Sequence, residues 1–139
     1  MDDLDSARYL TPEAKGLELE RWASLRTRGG GGAGAPDPEI FPLCDDLNVL
    51  PGVCTLQSCA GHRRNGTFWP GHVWLWLDRR TSERFDRRAS ELAASAVIER
   101  VSRIYAANGQ EITAIEFCGN ERGLLAESKE LLRRFFYSL

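Results

Sequence analysis

TSERFDRRASELAASAVIERVSRIYAANGQEITAIEF, residues 81–117, is the stretch on which the architecture turns. Thr81 or Ser82 supplies an N-cap, and Phe85, Ala89, Leu92, Ala96, Val97, Val101 and Ile104 recur at helical spacing. Asn108-Gly109 then reads as a helix C-terminus. The spacing predicts one long helix to about residue 108 and a strand over Ile112 to Phe117. Immediately upstream, His72 to Asp78 is apolar on both faces, as a central strand is. A right-handed helical crossover between these two strands would set them parallel.

Further upstream, Pro51-Gly52 marks a turn, and Val53 to Ser58 reads as another strand. Residues 59–71 hold no helical pattern, so this strand is expected to pair antiparallel with the central one. Asp37-Pro38 opens a helix with Ile40, Leu43, Cys44, Leu47 and Leu50 at helical spacing. A last helix, from about Asn120 to Tyr137, carries Leu124, Leu125, Leu131, Leu132, Phe135 and Phe136 on one face. The fold class expected is two-layer α/β: a small mixed three-stranded sheet packed by three helices over residues 37–139. Ahead of it, Thr11-Pro12 caps a helix running to about Arg28, with Leu17, Trp22 and Leu25 available for burial. The glycine-rich segment 29–36 reads as a flexible linker, which makes residues 1–28 a helical arm. The arm is free to pack on the domain, to exchange with a neighbouring copy, or to move on ligand binding.

A hydrophobic content of 42% beside 27% charged residues suits a soluble globular domain. No apolar run approaches the roughly 18 residues that span a bilayer, so no membrane partner is expected. The acidic start, Met1-Asp2-Asp3-Leu4-Asp5, lacks the apolar core of a secretory signal, and a cytoplasmic location follows as the expectation. In that compartment Cys44, Cys54, Cys59 and Cys118 are expected reduced. The net charge of -2 argues against a surface built wholly for nucleic acid, although arginines cluster at 63–64, 79–80, 87–88 and 133–134. Arginine suits bidentate binding of phosphate or carboxylate, and a GC-rich genome gives the same bias.

The chemistry concentrates where the first strand ends. Thr55, Gln57, Ser58, Cys59, Gly61, His62, Arg63 and Arg64 follow within ten residues, and Ala60-Gly61 lets the backbone turn close to a ligand. By alternation Thr55, Gln57 and Cys59 share a strand face. Trp74 and Trp76 share one as well, and could offer a stacking platform for a base. Cys54, Cys59, His62 and His72 are zinc-type ligands. Cys54 and Cys59 point to opposite faces, however, unless a bulge intervenes, and no metal site is assigned to them. The parallel topology also places the loop 118–123 at the sheet edge opposite Cys59 to His62, so the two loops are not expected to share a pocket.

Leu47-Asn48 on a helix, followed by a strand carrying Thr55-x-x-Ser58-Cys59-x-Gly61, resembles the wybutosine-synthesis methyltransferases of phenylalanine tRNA. The likeness spans about Leu43 to Arg63 and departs at His62, where that family carries arginine. With its histidine the motif is also similar to that of a group of short bacterial and phage proteins, a likeness that implies no activity. The resemblance implies a site at Thr55, Ser58, Cys59 and Gly61. Only the first likeness implies S-adenosylmethionine as cofactor and RNA as partner.

Two functional expectations and one structural one follow. The first is binding of a nucleotide-like or other anionic small ligand by the strand loop, as a phage-type sponge for a nucleotide signal would do. The ligand-binding set is then Thr55, Gln57, Ser58, Cys59, Gly61, His62, Arg63, Arg64, Trp74 and Trp76, with no catalytic residue assigned. The second is S-adenosylmethionine-dependent methyl transfer to tRNA. The third is a homodimer built on the apolar helices, without a ligand.

Overall fold

The computed structural model describes residues 7–27 and 37–139. The glycine linker expected at residues 29–36 and the acidic start lie outside the described residues. The elements are α1 (Pro12–Thr27), a 3-10 turn (Pro38–Ile40), α2 (Phe41–Val49), β1 (Val53–Cys59), β2 (His62–Arg64), β3 (Thr67–Trp69) and β4 (Gly71–Leu77). They continue with α3 (Arg79–Ala93), β5 (Ile98–Tyr105), β6 (Glu111–Phe117), a 3-10 turn (Asn120–Arg122) and α4 (Leu125–Tyr137). No helix among the described residues is long and apolar enough to cross a membrane.

The class is α/β, but the sheet differs from the expectation. It has four strands in the order β1-β4-β6-β5, and every pairing is antiparallel. The long helix expected to run to residue 108 ends at Ala93, and Ile98–Tyr105 is the edge strand β5. Val97, Ile98, Val101 and Ile104 are β-branched, and pairing with β6 suits them better than a helical surface. Asn108-Gly109 is therefore a hairpin turn: Gly109 N donates to Ala106 O, and Ala106 N to Gln110 O. With an extra strand between α3 and β6, β6 runs antiparallel to β4. Gly71 then stands opposite Phe117, and Cys59 opposite His72. The end of β1, the start of β4 and the end of β6 meet at one edge.

Other expectations hold. β4 lies between β1 and β6, and β1 pairs antiparallel with it. Thr11 caps α1 through Ala14 N at 3.1 Å. α3 is capped one turn earlier than expected, by the Asp78 carboxylate accepting from Thr81 N at 2.8 Å.

One face of the sheet carries Val73, Leu75 and Ile115 against α2, α3 and α4, with Ile40, Leu43, Leu47, Phe85, Leu132 and Phe136 in the same core. Phe85, Phe135 and Phe136 pack ring to ring at 5.3–5.8 Å, within the range where aromatic pairs add to simple burial. On the opposite face Cys54 and Trp76 are covered by Leu10. The N-terminal segment is docked here: Leu10 N donates to Leu77 O, Trp76 Nε1 to Arg8 O, and Lys15 Nζ to Leu50 O. Trp22 seats α1 on α2, edge-on to Phe41 at 5.4 Å and bonded to Asp45 at 3.2 Å.

Candidate functional site

β1 carries a bulge between Thr55 and Gln57, and the bulge decides which side chains meet. Before it Cys54 stands opposite Trp76; after it Gln57 faces Trp74 and Cys59 faces His72. The extra residue restores Cys54, Gln57 and Cys59 to one face, and puts Thr55 and Ser58 together on the helix-covered face. Thr55 therefore does not share a face with Gln57 and Cys59 as simple alternation expects. The Leu56 carbonyl at the bulge accepts from Arg21 Nη2 at 2.9 Å, so α1 clamps the irregular strand edge.

Thr55 is a joint between β1 and α2. Its amide donates to Asn48 Oδ1 at 2.8 Å, and Asn48 Nδ2 donates to its hydroxyl at 2.9 Å. Beside it, burial pushes the Cys44 thiol up to about 11, against partly offsetting hydrogen bonds from Ser58 and Thr55. Cys54 is likewise raised to about 11 by burial. These two thiols belong to the packed interior.

A cavity of about 470 Å³ opens at the end of β1. Thr55, Gln57, Ser58, Cys59 and His62 line it, together with His72 and, from the N-terminal helix, Arg21, Trp22 and Leu25. Asp37 closes one side. Five of the expected ligand-binding residues thus meet in one cavity. The others lie elsewhere. Trp76 is buried under Leu10, and Trp74 is half-buried with its ring 6.1 Å from that of His72. Arg63 is exposed and lies over Phe68 at 4.7 Å, on the small hairpin that Asn65-Gly66 turns at φ +51° and +78°. Arg64 pairs with Thr67 on that hairpin. Gly61 borders a neighbouring depression with Asp37, Ala60, His62 and Asn120.

Sequence reasoning missed Asp37, and with it Arg21, Trp22 and Leu25 of α1. Asp-Pro reads as a helix cap, yet the side chain makes no cap hydrogen bond. It reaches across to the loop instead, where Oδ2 accepts from Ala60 N at 3.0 Å and lies 3.5 Å from Cys59 Sγ. Cys59 Sγ is 3.7 Å from His62 Nδ1, and Gly61 N points at the sulfur from 3.4 Å. Burial is the main force on the Cys59 thiol and raises its pKa; the Gly61 amide opposes this and the Asp37 carboxylate reinforces it. The site is thus unlike that of a low-pKa nucleophilic cysteine. Burial lowers the pKa of His72, against the pull of Glu116 and Asp37. Its buried Nε2 has no hydrogen-bond partner in the protein.

The loop after β6 is part of the same neighbourhood, which overturns its expected place at the opposite edge. Asn120 N donates to Ala60 O at 2.9 Å. A side chain at Gly119 would collide with that same carbonyl. Glu121 Oε1 accepts from Gly119 N at 3.1 Å, while its buried Oε2 has no hydrogen-bond partner and lies where a Cβ on Gly61 would fall. No protein family, curated protein or solved structure matches this chain.

Proposed function

We propose that this protein binds a small nucleotide-like or otherwise anionic ligand in the cavity at the end of β1. The observation that carries this reading is the convergence of Gln57, Ser58, Cys59, His62 and His72 with Arg21 and Trp22 around about 470 Å³. That volume lies within the range of small-molecule sites, and such sites combine apolar walls with a few converging polar groups. Arg21, paired with Glu18 at 2.9 Å and bonded to the Leu56 carbonyl, brings a guanidinium to the cavity, and Trp22 and Leu25 supply apolar wall. The role first expected of Trp74 and Trp76 passes to Trp22, which borders the cavity as they do not.

Native mass spectrometry of the freshly purified protein, with denaturing release of whatever is bound, tests the reading. A retained nucleotide supports it, and Arg21→Ala then lowers the occupied fraction. A retained adenosyl cofactor would turn the same cavity towards methyl transfer, the activity implied by the likeness of residues 43–63. An apo mass, with no binding of nucleoside monophosphates or of S-adenosylmethionine at millimolar concentration by calorimetry, would refute both.

A further inference from the structure

We infer that Asp37, Cys59 and His62 form a binding site for one divalent transition-metal ion of the zinc type. Among the described residues these three each offer a ligand atom, and the three atoms lie within 4.8 Å of one another. Tetrahedral zinc, with bonds of about 2.3 Å to sulfur and about 2.0–2.1 Å to nitrogen or oxygen, separates sulfur from a neighbouring N or O ligand by about 3.5 Å. The structure has Sγ 3.7 Å from His62 Nδ1 and 3.5 Å from Asp37 Oδ2. Both sulfur pairs thus stand at ligand spacing, and the remaining Nδ1–Oδ2 pair closes from within 4.8 Å to about 3.3 Å when the ion is seated.

The surroundings match what a metal requires of its outer shell. Gly61 N points at the sulfur, and Ala60 N donates to the carboxylate oxygen. Two backbone amides thus orient and partly neutralise the two ligands that would be anionic. Cys59-x-x-His62 brackets a tight turn whose Gly61 has φ +85°, and this holds both ligands from one loop. The set first suggested by residue type, Cys54 with Cys59, His62 and His72, does not assemble. The bulge does return Cys54 to the face of Cys59, but Cys54 packs under Leu10 beside Trp76. Asp37 takes the place it would have had.

Three protein ligands leave one tetrahedral position open, as in sites where a water or substrate completes the shell. All three ligands line the cavity that His72 also lines. His72, whose buried Nε2 has no hydrogen-bond partner, stands opposite Cys59 on β4. On binding, Cys59 releases its thiol proton to solvent, and the sulfur binds as thiolate.

Cobalt(II) titration of the full chain tests the site without any organic ligand, so its outcome is separable from that of the nucleotide reading. One equivalent should produce tetrahedral cobalt absorption with a thiolate-to-cobalt charge-transfer band, and zinc should displace it. Cys59→Ser should abolish that band, whereas Cys54→Ser leaves it unchanged. The exposed His62 can be replaced without disturbing the core, and His62→Ala should weaken zinc by more than the roughly 10- to 100-fold that loss of an outer-shell partner costs. No stoichiometric cobalt binding by the wild-type protein, or a charge-transfer band that survives Cys59→Ser, would overturn the assignment.

Discussion

Gly61→Ala should destabilise the protein far more than Gly66→Ala, although the two backbones are alike. Gly61 has φ +85° and Gly66 φ +78°. A left-handed conformation costs a non-glycine residue about 1–2 kcal/mol, and that cost is common to both substitutions. The surroundings differ. A Cβ at Gly66 meets nothing within 4 Å, whereas one at Gly61 falls 2.9 Å from the Gly71 amide nitrogen and onto the Glu121 carboxylate. The carboxylate is the end of a side chain and can swing away. Gly71 cannot, because β4 is fixed between β1 and β6. Overpacking of this kind costs about 1–3 kcal/mol. Gly61→Ala should therefore lose roughly 2–5 kcal/mol and Gly66→Ala roughly 1–2 kcal/mol. Urea titrations of both variants measure the gap through the shift in midpoint at unchanged slope. Equal losses would mean that the loop after β1 does not press on the start of β4, and the site geometry argued from that contact would fall with it.

Two further outcomes follow. Asn48→Ala removes both hydrogen bonds to Thr55 and leaves a buried amide unsatisfied, which should cost about 1–3 kcal/mol; a loss under about 0.5 kcal/mol in the same titration would deny the joint between α2 and β1. Burial alone would raise the pKa of Glu111, but the hydrogen bond from Arg8 and the charges of Arg103 and Arg8 outweigh it and hold the carboxyl below its ordinary 4.5. A lowered folded pKa adds stability above the unfolded value and loses it as the pH falls through the folded one. Glu111→Gln should accordingly be less stable than wild type at neutral pH, with the difference shrinking as the pH falls below about 4.5 in thermal melts; a gap of the same size at pH 3 and pH 7 would assign Glu111 to packing alone.

The parts of the fold legible in the sequence are those whose pattern admits one reading. His72 to Leu77 is apolar on both faces and stands between two strands. Ile40, Leu43, Cys44 and Leu47 are buried on one side of the helix region that their spacing marks. The region after Ala93 was not legible, because Ala93-Ala94-Ser95-Ala96 holds no glycine or proline to end a helix. The apolar residues beyond it continue at helical spacing as well as they fit a strand. The choice fell to pairing with β6, which is invisible in a local window. Asn108-Gly109 was the available clue, since that pair favours a hairpin more strongly than a helix end.

That one ambiguity governs the surroundings of the site. A parallel β6 would end on the far side of the sheet and leave the loop after β1 facing solvent. Antiparallel pairing returns Phe117 to a place opposite Gly71, and Asn120 then bonds Ala60 directly behind Cys59. The bulge at Leu56 has a similar effect at shorter range, because one inserted residue reverses which side chains of β1 face the open side. Residue types close in sequence mark Thr55 to His62 as the candidate site. Which of them meet depends on two non-local facts, a strand direction and a register shift, and Asp37 joins them from a segment that by local rules caps a helix. Clustering in the sequence therefore nominates the candidate site here, while the partners of each group follow only from the topology.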